Sequence, residues 1–484
     1  MTVGLRHLAA LVLPASMGTA WVACKTPEAK TEPPPVQLYE GSGCSDERAA
    51  GFPYQPGCCN YPVDTPEVAA RGFDSSVAGT SATPDHVHVS WAGPSQSSFA
   101  VNWRSDVDNE RSQLLYGPSE QAVAAADGPG GDVRRVTGHH LLYASPVDGT
   151  SQTRVHEVHV CGLEPGTTYS YKVGGPEAWS EVYDAKTAPL PGATESFKFA
   201  VLGDSRGVAG ADIHAQLQQA IATHDVDFEL FTGDAVAAGP LQADWNRWFE
   251  ATSGDFALQD LLARKPMFVA NGNHENLALG LLTQFAVPQE ISEGERAQGE
   301  EWYAFDYGNA RFLVMSDDPR ETATGQAQQD WLDTTLAAVD REQQPWLVLS
   351  HHRSLYSCGG SHSSDLDIRS VRQLVLDEHE VDLVVSGHDH LYERSKPMRG
   401  LAGTTGLIAP EMGPNDTPVN QSGTLYVVSG GAGAPLYGTD DGCDHTHLTE
   451  STYHYVIVEI ADRQLSYTAY RLDGSVLDEF EITK

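Results

Sequence analysis

Between Gly203 and His390 the chain repeats one local pattern, a short apolar, mostly β-branched run followed by residues that bind metals. The tips read Gly203-Asp204, Gly233-Asp234, Gly272-Asn273-His274-Glu275, His351-His352 and Gly387-His388-Asp389-His390. The runs behind them are Phe199–Leu202, Phe228–Phe231, Met267–Ala270, Trp346–Leu349 and Val381–Val385. Such runs, ending in polar residues, read as buried strands with the polar residues on loops at their tips. A fold that satisfies every tip presents Asp, Asn and His together, and O and N donors of this kind suit hard or borderline divalent or trivalent metals. A single Asp or Asn after a strand commonly just caps a turn; the series needs another explanation.

Helical stretches follow several of these strands, among them Ile213–Ala222 and Gln326–Val339, so the region is expected to be a layered α/β fold. Upstream the periodicity changes. His86–Trp91, Ser98–Trp103, Val155–Val160 and Tyr169–Val173 alternate apolar with polar residues between turns, the pattern of an all-β sandwich. The stretch from Gly162 to Tyr169 resembles the strand-connecting corner of fibronectin type III domains, which identifies a fold and no chemistry. His86, His88, His156 and His159 lie in these strands and are read as packing or surface residues. Thr187–Thr194 is a Pro/Gly linker. The expected organisation is 1–23 leader, 24–80 tether and Cys-containing segment, 81–190 sandwich, and 195–484 metal-binding domain.

The leader carries Arg6 and His7 before an apolar stretch from Leu8 to Ala23, broken by Pro14 and Gly18, which reads as a secretory signal. Val22-Ala23-Cys24 resembles a bacterial lipobox, with Trp21 departing from its usual Leu; a lipid on Cys24 is then the one expected membrane link. The expected location is exported: periplasmic, outer-membrane-anchored or at the cell surface as a lipoprotein, otherwise secreted. Apart from Cys24, six cysteines remain, an even number that favours disulfides and permits 15 pairings. With 30 Lys+Arg against 66 Asp+Glu, the formal charge is -36. A surface this acidic argues against nucleic acid as a partner.

The ordered tips, together with Trp302–Asn309 and Gly387-His-Asp-His-Leu-Tyr-Glu-Arg394, resemble the calcineurin-like metallophosphoesterases, and among them the purple acid phosphatases, whose GHxHxYER string the last block nearly reproduces. The resemblance runs from about residue 83 onward. It implies a layered αββα domain behind the fibronectin-like sandwich, and two divalent or trivalent metal ions (Fe, Zn or Mn). Carried over, Asp234 bridges the ions, Asn273, His352 and His388 complete the second site, and Asp204 and His390 serve the first. His351 stands as the alternative to His352; the family's Pro-Trp and Tyr spacing, met by Pro345-Trp346 and Tyr356, favours His352.

Two positions depart from the family. Its tyrosine ligand three residues after the bridging aspartate is Ala237 here, and the histidine that other metallophosphoesterases place two residues after the first aspartate is Arg206. The first site is therefore expected to be weak, with Arg206 free to hold a phosphate oxygen or to pair with a carboxylate. His274 is the candidate phosphate contact or general acid, with Glu275 expected to orient its ring. His362 is a further substrate-contacting candidate, and His445 and His447 are of the same kind. Gly430–Ala434 lacks the Lys-Ser/Thr of a P-loop and reads as a structural turn. Cys358–Cys443 is the expected disulfide, since both residues lie in loops flanking the site. The implied activity is hydrolysis of a small phosphomonoester by metal-activated hydroxide at a dinuclear site. The alternatives are a phosphodiesterase or nucleotidase on the same scaffold, or a surface-anchored binding module whose metal site is degenerate.

Overall fold

The computed structural model describes residues 51–65, 69–73, 83–144, 152–176, 178–206, 211–289, 300–400, 423–440 and 442–484. The leader, Cys24, the tether and Cys44 lie outside the described residues.

The alternating strands upstream of the linker form two antiparallel sheets. One runs in the order Ala70–Phe73, His139–Ala144, Gln152–Cys161, Ser98–Ser105, Asp85–Ser90. The other joins Tyr183–Lys186, Thr168–Gly175, Gln113–Gly117 and Arg134–Thr137. Inward residues of both, such as Val89, Phe99, Val101, Leu114 and Val173, share one core, as facing sheets require. The histidines of these strands are packed inside: His88 stacks on Phe249 and His156 on Trp103.

Downstream, two larger sheets lie face to face. The six-stranded one places Met267–Val269, Phe228–Phe231 and Phe197–Leu202 in parallel, then continues through the antiparallel C-terminal strands His454–Ala461, Gln464–Arg471 and Val476–Thr483. The seven-stranded one contains Ala310–Val314, Trp346–Arg353, Leu383–Gly387 and Leu425–Ser429 in parallel. Strand Trp346–Arg353 shows why these runs are apolar throughout. Its Trp346 and Val348 join the core between the sheets, while Leu347 and Leu349 face Leu332 and Leu336 of helix Gln326–Ala337 and Ile368 and Leu376 of helix Leu366–Glu378. A strand buried on both faces cannot alternate apolar with polar. On the opposite side, Ala215, Leu217 and Ile221 of helix Ala211–Ile221 cover the six-stranded sheet. The layers are therefore helix, sheet, sheet, helix, behind an all-β sandwich.

The sandwich is seated on the two larger sheets through aromatic rings. Trp91, fully buried, lies 5.7 Å from Phe228, 5.6 Å from Phe268 and 5.5 Å from Tyr307 between ring centroids. The Tyr171 hydroxyl donates to the Ala263 carbonyl at 2.6 Å.

Two disulfides are present among the described residues. Cys59–Cys161 ties the 51–65 segment to the sandwich, and Cys358–Cys443 joins two loops as the sequence suggested. Cys58 is also disulfide-bonded, which removes the adjacent cysteines as metal ligands. Disulfides of this kind fit an oxidising compartment. Among the described residues no helix is long and apolar enough to cross a membrane.

Candidate metal centre

The five tips meet at the same end of the facing sheets, and glycine explains how closely they do so. A Cβ at Gly387 would stand 2.2 Å from Asp204 Oδ2, and one at Gly272 would stand 2.4 Å from Asp234 Oδ1. These glycines let backbone approach carboxylates where no side chain fits. Asp204, Asp234 and His388 themselves adopt left-handed backbone, with φ of +62°, +54° and +71°. Backbone strain of this sort in non-glycine residues concentrates at functional sites. The Gly430–Ala434 turn supports the first tip: the N–H groups of Ala432 and Ala434 donate to the carbonyls of Gly203 and Asp204 at 2.9 and 2.8 Å.

Around the third and fourth tips, donor atoms converge. His352 Nε2 lies 3.1 Å from Asn273 Oδ1, 3.3 Å from Asp234 Oδ1 and 3.2 Å from His388 Nδ1. His352 Nδ1–H donates to the Thr232 carbonyl at 2.8 Å, so Nε2 carries the lone pair. That lone pair faces two oxygen acceptors, an arrangement that is repulsive until a proton or a metal cation lies among them. Arg353 Nη1 donates to His388 Nε2 at 3.1 Å, leaving the Nδ1 proton of a neutral His388 to point at His352; a cation here displaces it. Among the described residues, Asp234, His352 and His388 form the one group of three His, Cys, Asp or Glu ligand atoms lying within 4.8 Å of one another.

The other half is looser. His390 Nε2 lies 3.5 Å from Asp204 Oδ1, and its Nδ1–H donates to the Pro435 carbonyl at 2.7 Å. Buried Asp234 Oδ2 and His390 Nε2 have no hydrogen-bond partner, which fits donor atoms meant for a cation. Burial holds His390 down to about 4, so it stays neutral and able to ligate. Burial also raises Asp204 well above the usual carboxylate range, where Asp234 adds to the effect against His352. Burial opposes ionisation of Asp234 as well, yet His352 and His274 outweigh it and draw its pKa down.

His351 and His352 are adjacent on one strand and point to opposite sides. His351 Nδ1 donates to Asp317 Oδ2 at 2.8 Å, away from the cluster that His352 joins. His274 faces the centre, with Nε2 3.7 Å from Asp234 Oδ2. Its ring is oriented by the Ala237 carbonyl, which Nδ1 meets, and the expected partner Glu275 is elsewhere. This corrects the reading of Glu275. Its carboxylate accepts backbone N–H bonds from Asp234, Gly272 and Val236 at 2.8, 3.0 and 3.2 Å, fastening the second tip to the third. Burial and the neighbouring Asp234 push its pKa to about 8. His362 does reach the site, stacking on His388 at 4.0 Å between ring centroids. His445 is turned away to Glu393, 3.4 Å off. Arg206 Nη2 stands 3.6 Å from Asp234 Oδ2.

Two supports escaped the sequence reading. Tyr437 lies flat on His390, with centroids 4.0 Å apart, and nothing in its surroundings in sequence marks it. Asp317 follows the apolar strand Ala310–Val314 in the same manner as the ligand tips and was legible by that rule. Its carboxylate accepts from His351, from the backbone N–H groups of His352 and Arg353 at 2.9 and 2.6 Å, and from Arg372 Nη1 at 2.8 Å. The Tyr-Glu-Arg tail of the last block is structural. The Arg394 guanidinium grips Asp478 through Nε and Nη2 at 2.5 and 3.0 Å, and Tyr392 donates to the same carboxylate at 2.7 Å.

With alanine at 237, iron-loaded protein is expected to show no visible charge-transfer absorption. An absorption spectrum with such a band would mean that another tyrosine, Tyr437 being nearest to His390, supplies a phenolate.

The family model of purple acid phosphatase N-terminal domains matches residues 84–187, and that of calcineurin-like phosphoesterases matches 197–392. The chain is 27% identical over 367 residues to probable inactive purple acid phosphatase 1 of Arabidopsis thaliana, covering 68% of this chain and 58% of that protein. It is 26% identical over 324 residues to probable purple acid phosphatase 20 of the same plant, covering 64% and 69%. The match thus spans less than two thirds of the first relative's own length. The solved purple acid phosphatase PPD1 from yellow lupin (Lupinus luteus) seeds shares the fold, with a TM-score of 0.68 at 22% identity over 83% of this chain and 74% of that one. Fold, domain order and the gathered Asp, Asn and His side chains agree with these matches: residues 84–187 form a purple acid phosphatase N-terminal domain and residues 197–392 a calcineurin-like phosphoesterase domain.

Proposed function

We propose that this protein hydrolyses small phosphomonoesters at a metal centre built on Asp234, Asn273, His352 and His388. The observation that carries the reading is the His352 Nε2 lone pair facing Asn273 Oδ1 and Asp234 Oδ1 at 3.1 and 3.3 Å. A bound transition-metal ion supplies Lewis acidity there, polarising the phosphoryl group and making hydroxide available near neutral pH.

The chain's own residues do the rest. Arg206, with its guanidinium at the inner edge of the site, holds a phosphate oxygen. His274 meets the Ala237 carbonyl through Nδ1 and turns Nε2 toward the centre, 3.7 Å from Asp234 Oδ2, where a proton on Nε2 faces the departing group. As hydroxide attacks phosphorus in line, the P–O ester bond breaks and His274 gives the Nε2 proton to the departing oxygen. His362, half-buried over His388, borders the substrate. Export, with or without lipid on Cys24, belongs to the same reading.

The test is turnover of 4-nitrophenyl phosphate and bis(4-nitrophenyl) phosphate by protein loaded with iron, zinc or manganese. Faster monoester hydrolysis, lost on chelation, is expected. A preference for the diester would favour the phosphodiesterase alternative. Metal-loaded protein inert to both esters would favour the binding-module reading, in keeping with the name of the first relative.

A further inference from the structure

The two halves of the centre are built differently, and Arg206 is the reason. On one side three side-chain donors, from Asp234, Asn273 and His388, converge around His352 Nε2. On the other, His390 Nε2 lies 3.5 Å from Asp204 Oδ1, and the Arg206 guanidinium stands 3.6 Å from Asp234 Oδ2. The backbone that carries this guanidinium is held in place. The Arg206 side chain is 23% exposed, and its backbone N–H donates to the Asp234 carbonyl at 3.1 Å. A left-handed backbone at φ +46° sets the side chain's direction. The preceding Ser205 is fixed between the Ala235 carbonyl at 2.8 Å and Trp248 Nε1 at 3.1 Å. Gly207-Val208-Ala209-Gly210, which come next in sequence, carry no ligand side chain, and neither does Ala237.

A guanidinium is charged at every accessible pH. A cation and a guanidinium crowded onto one buried carboxylate oxygen repel each other strongly. We propose that the centre holds one tightly bound cation, at Asp234, Asn273, His352 and His388, and that Arg206 stands as a fixed positive charge in the place of a second. The inference rests on the metal-dependent reading above and sharpens it: the chain's own guanidinium both neutralises Asp234 and presents forked N–H donors to the phosphate.

The experiment counts metal. Metal-free full-length protein is titrated with zinc or manganese, with binding followed by calorimetry and ion content measured by atomic emission after desalting. Wild type is expected to retain one ion per chain. Arg206→His, which sets an imidazole beside Asp204, Asp234 and His390, is expected to retain two. Arg206→Ala serves as a second variant should the histidine disturb folding, and is expected to bind a second ion at least about 10-fold more tightly than wild type. Two ions of equal affinity in wild type would overturn the inference while leaving metal-dependent hydrolysis standing, as would an unchanged count in both variants. No ion in wild type would overturn both readings.

Discussion

Replacing His352 by alanine is expected to cut aryl phosphate hydrolysis by more than about 100-fold, the scale of one well-aimed electrostatic contact in a protected site. The imidazole is fully buried, and its Nε2 is the atom around which Asp234, Asn273 and His388 are gathered. Asn273→Ala should behave alike while disturbing the fold less, because Asn273 sits at the half-exposed edge of the cluster. Both variants should also lose bound metal, which separates ligand loss from a general loss of activity. His351→Asn provides the contrast: its side chain faces Asp317, so metal content should hold while stability falls. Full activity in His352→Ala or Asn273→Ala would overturn the ligand assignment.

The second large effect is on stability. Arg372 and Asp317 are both fully buried, joined at 2.8 Å behind the strand that carries His352. Burial alone would disfavour the Asp317 carboxylate, yet Arg372 and His351 hold it far below the usual carboxylate range. Arg372→Leu leaves that charge uncompensated and is expected to cost about 3–5 kcal/mol in denaturant unfolding, as breaking a buried pair does. Adding Asp317→Asn should recover a large part, because the stranded charge is gone. A loss under about 1 kcal/mol in the single variant would show that the backbone N–H groups on Asp317 suffice. Because Asp317 also seats the backbone of His352, the single variant should weaken metal binding too, on the order of 10-fold.

Much of this was legible in the sequence because burial leaves a strong imprint on strands. Trp346–Arg353 and Leu383–Gly387 have neighbours on both faces, so their apolar runs and polar tips stand out without reference to anything distant. The Cys358–Cys443 bond was legible once both loops were placed beside one site. What the chain concealed depends on contacts between residues far apart in sequence. Glu275 sits next to His274, and adjacency suggested a shared role; the loop's turn instead sends its carboxylate to the backbone of Asp234 and Val236. Arg372 looks like one more polar residue of helix Leu366–Glu378 until the helix is laid against Asp317. Tyr437 carries no periodic signal, and only the folded loop lays it on His390.

The aromatic seam at Trp91 also bears on how such a chain can change over time. Phe228 ends its contact with Trp91 at one end of the strand whose other end delivers Asp234. Deleting the sandwich would open Phe228, Phe268 and Tyr307 to water and loosen the strands that aim the ligands. The sandwich is thus part of the foundation on which the metal centre stands and no detachable accessory. A β domain put in its place would have to bring an equivalent indole to cover these rings.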